Sequence, residues 1–175
     1  MEDTGFRRVV VGVSGSLGSL AALHRAAAEA RRGDAVLVVV HAWEPTGGEF
    51  AYRRHPSPPL LLRADQDQAR QRLLTAMDDA FGGAPAGLPV QALIARGPAA
   101  RSLVHVANRE NDLLVVGAGS PGRLRRLLSS SVAHQCVRDA ACPVLTVPRP
   151  PLQQVFETVR RHNGRRLPLR AAGPV

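Results

Sequence analysis

Two hydrophobic patterns alternate along the chain. Short, near-continuous apolar runs recur at Val9–Val13, Ala35–His41, Val90–Ala95, Leu113–Gly117 and Pro143–Val147. Their brevity and richness in valine predict strands buried on both faces. Between them, apolar residues return every three or four positions, the spacing of a helix with one buried face. Leu17, Leu20, Ala21, His24 and Ala28, with further alanines, predict a helix ending near Arg32 with Gly33 as its cap. Leu62, Ala69, Leu73, Met77 and Ala80 predict a second, from about Leu60 to Phe81. Gly97-Pro98 opens a third, with proline in the first helical position and Leu103, Val104 and Ala107 along it. Val132, Cys136 and Val137 line a fourth. The Pro- and Gly-rich stretch from Glu44 to Pro59 reads as irregular.

Strands alternating with amphipathic helices predict an α/β fold, an open parallel sheet with helices on both faces. Right-handed crossovers leave few topologies for it. Ligands of such sheets bind beyond the carboxyl ends of the strands, where the strand order reverses. Two loops are predicted on that edge: Ser14-Gly15-Ser16 after the first strand, and Gly117 to Gly122 after the fourth. The second loop leads to Ser129-Ser130-Ser131 and a helix. Backbone N–H groups and a helix N-terminus would converge there, an arrangement that favours an anion such as a phosphate.

Composition narrows the picture. The 175 residues suit one domain, with aromatic residues so scarce (3%) that Val, Leu and Ala must build the core. The expected division is a folded domain over 1–147 and a Pro/Arg-rich extension over 148–175, in which Gln153 to Arg161 has a helical look. The net charge is +9 and every basic residue is arginine, a bias that coding composition explains as well as a polyanionic partner does. The extension holds six arginines and one acid, and its one aromatic ring, Phe156, precedes all of the arginines but Arg149, so no specific nucleic-acid partner is expected. Cys136 and Cys142 have neither redox nor zinc spacing and are expected to be buried thiols. The longest apolar run, Ala35 to Val40, is too short to cross a bilayer, and no hydrophobic leader precedes it, so the cytoplasm is the expected compartment. The six histidines are scattered without ligand spacing, and no metal site is expected; His24 and His105 lie in helical patterns and are expected to be packed or half-exposed. Ser14 and Ser16 lack a G-x-S-x-G elbow and an evident His–Asp pair, so no enzymatic activity is expected.

Gly117, Gly119 and Gly122 spell G-x-G-x-x-G, but the acidic residue of a dinucleotide site is missing, because Asp139 falls before the next strand. A fuller match runs from residue 6 to 147. Val11-Gly12-Val13-Ser14-Gly15-Ser16 resembles the first strand and V-G-V-D-G-S turn of the universal stress protein family. Val116-Gly117 through Leu124-Arg125-Arg126-Leu127-Leu128 to Ser131-Val132 resembles its G-x2-G-x9-G-(S/T) nucleotide loop, and Ala141-Cys142-Pro143-Val144-Leu145 its closing P-C-P-V-L strand. The resemblance implies a Rossmann-like sheet of five parallel strands in the order 3-2-1-4-5 and a homodimer paired along the last strand. It also implies a stress-response binding module for an adenine nucleotide such as ATP, alone or with magnesium. Val13, Ser14, Gly117, Ser120, Ser130, Ser131 and Val132 are the positions it places around that nucleotide. His41 stands where the family commonly has histidine and reads as orienting the loop.

Three departures bear on the ligand. Ser14 replaces the aspartate that ATP-holding members place near the adenine, and Ser120 and Ser130 replace the second and third glycines. A serine held in the left-handed region costs on the order of 1–2 kcal/mol, roughly a tenfold loss of affinity. Losing the aspartate's acceptor costs about 1–3 kcal/mol more. Ser130 stands at a helix N-terminus, where serine is favoured. Nucleotide binding is therefore expected to be weak or absent. If it is absent, the chain is expected to act through protein–protein contacts with an unidentified partner, by its dimer edge or its arginine-rich extension.

Overall fold

The computed structural model describes residues 5–118 and 131–148. Ser120, Ser130, Gly119, Gly122 and the extension from 149 onward lie outside them. In chain order the elements are β1 (Arg8–Gly12), α1 (Leu17–Arg32), β2 (Val36–Trp43), α2 (Gly48–Arg54), α3 (Pro59–Phe81), β3 (Val90–Arg96), α4 (Ala99–Val106), β4 (Asp112–Gly117), α5 (Val132–Asp139) and β5 (Val144–Val147). The strands form one parallel sheet in the order β3-β2-β1-β4-β5.

The unbroken apolar runs have a direct explanation. Successive side chains of a strand point to opposite faces, and here both faces are covered. Val9, Val11 and Val13 of the β1 segment, with Leu113 and Val115 of β4, pack against α1 and α3. Val10, Leu114 and Val116 pack on the other side, with Leu103, Ala133 and Cys136 of α4 and α5. β1 and β4 are the central strands and are buried almost throughout, whereas β3 and β5 are half-exposed edges. Cys136 and Cys142 are buried free thiols, as expected.

Several expectations need correction. α1 buries Ser19, Ala22, Leu23, Ala26, Ala27 and Ala30, not the stripe that starts at Leu17, which is 49% exposed. So many alanines leave the apolar face ambiguous. Close approach decides it: a Cβ on Gly117 would lie 2.7 Å from the Gly18 carbonyl oxygen, so α1 sits on the sheet at a distance only small residues allow. The 44–59 stretch is not wholly irregular, since it contains α2. Pro98 caps α4 from outside, with extended backbone (ψ 133°), and Ala107 is the cap at the other end. Val137 points to solvent. His24 and His105 are exposed rather than packed, although the His24 ring meets Phe81 edge-on at 5.1 Å.

Candidate functional site

The β1–β4 ladder ends at Val11↔Val115, while β1 stays joined to β2 through Gly12↔Val40 and a bond from the Val13 N–H to the Val40 carbonyl. Past that point the chain leaves β1 for α1 on one face and leaves β4 toward α5 on the other. A crevice therefore opens at the carboxyl edge between β1 and β4, where the strand order reverses. The two predicted loops share this edge.

The first wall is the β1–α1 turn. Ser16 caps α1, its hydroxyl accepting the Ser19 N–H at 3.3 Å. The buried Ser19 hydroxyl donates to the Ser16 carbonyl at 2.9 Å and accepts the Ser14 N–H at 3.1 Å. The Ser14 and Ser16 hydroxyls lie 3.1 Å apart and exposed. Gly15 supplies the positive φ (75°) that lets the turn close. Behind it, His41 Nδ1–H donates to the Val13 carbonyl at 2.9 Å, so the expected orienting role of His41 is visible as a bond. The acceptor being a carbonyl, the ring proton sits on Nδ1.

The second wall is the end of β4 and the start of α5. The Ala118 N–H is committed to the Val147 carbonyl at 2.8 Å. Gly117 abuts the backbone of α1, so its lack of a side chain is required for packing whatever binds nearby. Ser131 caps α5, its hydroxyl accepting the His134 N–H at 3.2 Å. Val132 is the first residue of α5 and partly exposed. α5 leads back into β5, which is parallel to β4, so it runs against the strands and its N-terminus points toward their carboxyl ends. Neither α1 nor α5 carries an acid in its first turn. Two helix N-termini without a competing carboxylate make a positive, donor-rich corner suited to an anion. Of the expected site residues, Val13, Ser14 and Gly117 lie at this edge of β1 and β4, and Ser131 and Val132 open α5; Ser120 and Ser130 lie outside the described residues.

A third group lies at the carboxyl ends of β2 and β3, and local patterning gave no sign of it. Arg96, ending β3, forks onto Glu49 of α2 at 2.7 and 3.3 Å. Its guanidinium lies 4.3 Å from the Tyr52 ring centre and 5.9 Å from that of Trp43. The hydrogen bond from Arg96 lowers the Glu49 carboxyl pKa and raises that of the guanidinium. At the foot of α2, Asp65 accepts the Thr46 N–H at 2.9 Å and its hydroxyl at 2.7 Å, which lowers the Asp65 pKa. These partners lie too far apart in sequence for any spacing rule. Ser19 was also missed; Ser16-x-x-Ser19 at a predicted helix start was its available signal.

A doubly wound α/β protein with a ligand crevice at its switch point is what this fold and edge define. The sequence profile of the universal stress protein family matches residues 5–148, and the chain belongs to that family. A universal stress protein of Thermus aquaticus is 31% identical over 151 residues, covering 81% of this chain and 98% of that protein. A Mycobacterium tuberculosis relative, 32% identical, is matched over 79% of this chain but 47% of its own length, so the chain spans about half of that longer relative. A universal stress protein solved in complex with cAMP superposes with a TM-score of 0.54 at 27% identity, covering 83% of this chain and 99% of the other. One from Archaeoglobus fulgidus, solved with dAMP, shares the fold at 17% identity and TM-score 0.52, over 81% of this chain and 97% of the other. Among the described residues no helix is long and apolar enough to cross a membrane.

Proposed function

We propose that the β1/β4 crevice binds an adenine nucleotide, ATP with its magnesium, and that the protein is a cytoplasmic, non-enzymatic binding module of the stress response. The observation that carries this reading is the pair of serine-capped, acid-free helix N-termini, α1 and α5, at the point where β1 and β4 part. The cAMP complex of a 27% identical relative supports adenine and phosphate as the ligand's two ends. Ser131 and the first-turn N–H groups of α5 would hold phosphate, and the Ser14 hydroxyl, in place of a carboxylate, would meet the sugar or base. With hydroxyl and N–H donors and no carboxylate on these helix starts, magnesium would travel on the nucleotide's own phosphate oxygens. The half-exposed, four-residue β5, followed by Pro148, suits pairing with a second copy through that edge.

Denaturing the purified protein and analysing the supernatant tests for carried nucleotide, and a thermal melt tests for added ligand. At about a hundredfold excess over Kd, ATP–magnesium should raise Tm by about 5–10 °C. If no nucleotide is released and millimolar ATP–magnesium and cAMP leave the melt unmoved, the reading fails, and action through protein contacts takes its place.

A further inference from the structure

We propose that the segment from α2 to the first turns of α3 docks onto the surface of an anionic lipid bilayer. Phe50, Leu60 and Leu61 are its apolar anchors, and Arg53, Arg54 and Arg63 are the cations that meet the headgroups. The proposal does not depend on what the crevice holds. No residue from Thr46 to Gln68 is buried, so this stretch stands outside the hydrophobic core. The first buried residue of α3 is Ala69; the part of the helix before it, Pro59 to Gln68, is about 15 Å long and buries nothing. The stretch is nonetheless tied at its base, where Asp65 accepts the Thr46 N–H at 2.9 Å and the Thr46 hydroxyl at 2.7 Å. α2 and the start of α3 are therefore held as one closed loop.

Contacts fix which side of α2 is free. Glu49 and Tyr52, about one helical turn apart, meet Arg96 of the sheet through a two-pronged ion pair and a ring contact at 4.3 Å. Phe50 is left on another side, 74% exposed, with the Arg54 guanidinium 5.3 Å from its ring centre. On α3, Leu61 lies one turn before Asp65, hence next to the tied base, and is 55% exposed. Leu60 is 77% exposed, with Arg63 on the following turn. Phe50 and Leu60 are the most exposed large apolar side chains among the described residues. Charge favours a bilayer as the occupant. From Gly47 to Ala64 the chain has three arginines and one acid, Glu49, which Arg96 already neutralises. The next acid, Asp65, is turned into the base of the loop by Thr46. Among the described residues Arg53, Arg54 and Arg63 hold no ion pair. A fluid anionic surface satisfies such spread cations without fixed partners, and its acyl boundary takes isolated apolar tips. A protein interface asks instead for a continuous, packed apolar centre, which three side chains on two helix starts do not make.

Co-sedimentation of the full chain with vesicles tests this, using phosphatidylcholine alone and phosphatidylcholine mixed with phosphatidylglycerol. Wild type should pellet with the anionic vesicles and not with the neutral ones, and should release as salt is raised. A chain of net charge +9 adheres to anionic lipid through charge alone, so the deciding variants keep every charge. Phe50→Ser, and Leu60→Ser with Leu61→Ser, should each bind anionic vesicles about five- to tenfold more weakly. Val137→Ser, which removes a 59% exposed apolar side chain from α5 instead, should bind as wild type does. Arg53→Gln with Arg54→Gln should weaken binding about fivefold per arginine. None of these side chains is buried, so circular dichroism of the variants should match wild type. Wild-type binding by both Phe50→Ser and the leucine double variant would reduce the attachment to unspecific charge and overturn the proposal. Equal binding to neutral vesicles overturns the role of the arginines. Absence of wild type from the anionic pellet overturns the docking outright; a dimer in light scattering that the leucine double variant dissociates would then make a second copy the occupant.

Discussion

One strand pair behaves in opposite ways at its two ends. At the amino end β1 and β4 are clamped: Arg8, opposite Asp112 in the register, donates to both carboxylate oxygens at 2.8 and 2.6 Å. The same guanidinium bonds the Val106 carbonyl at 3.0 Å, and the carboxylate accepts the Arg109 N–H at 3.0 Å. Asp112 is fully buried. At the carboxyl end the ladder stops at Val11↔Val115, and serines and glycines replace charge and bulk. Cross-strand charge with every oxygen satisfied makes one end rigid. Hydroxyls and N–H groups turned toward solvent leave the other end able to exchange partners with a ligand. Stability and binding are thus separated along some four residues of the same two strands.

The sharpest way to break this contrast is Asp112→Ala. It leaves the Arg8 guanidinium mostly buried and unpaired, which should cost about 3–5 kcal/mol in chemical denaturation without changing nucleotide affinity in the folded fraction. A cost below about 1 kcal/mol would mean the amino end is no clamp. Gly117→Ala comes next. Its Cβ meets backbone, the Gly18 carbonyl, which cannot rotate away, so about 1–3 kcal/mol is expected. Because α1 must lift, nucleotide affinity should fall as well; Gly12→Ala is the control, since its Cβ meets only the Leu103 side-chain tip and should be milder on both counts. Ser131→Ala removes a cap and should cost about 1 kcal/mol. A drop in nucleotide affinity larger than the stability change would place the hydroxyl on the ligand, and equal affinity would leave it a cap alone.

The smallest effect concerns Cys136, whose pKa burial pushes up to about 11. The unfolded thiol ionises near its usual value of about 8.5, while the folded one resists. Stability from this group is therefore full below pH 8 and is lost as the pH climbs from there toward 11. A denaturant midpoint that falls over that window in wild type, and falls less in Cys136→Ala, checks the sign. Native-state alkylation at pH 8 should be slow at both cysteines, since burial raises Cys142 too.

Much of the sheet was legible because its central strands are buried on both sides. Val9 to Val11 and Leu113 to Val116 had to read as unbroken apolar runs, and Gly33 as the cap that ends α1, since these features depend on neighbours in the chain. The alanine-rich α1 was recognisable as a helix, but not the face it would bury. Periodicity cannot choose among alanines, and the backbone contact between Gly18 and Gly117 made the choice. α2 was hidden for a related reason. Seven residues with no core face carry no hydrophobic period, and the helix is held by Arg96 from a strand 47 residues away.

The sequence by itself therefore determined the five strands, the four described helices that bury a face, and the family to which the chain belongs. Only the tertiary structure decided which face of α1 meets the sheet, how the β1/β4 pair is clamped at one end and open at the other, and which groups gather around Trp43. The physical reason is range: burial period and capping act over a turn or two of chain, whereas ion pairs, ring stacks and close backbone approach join residues that only folding brings together.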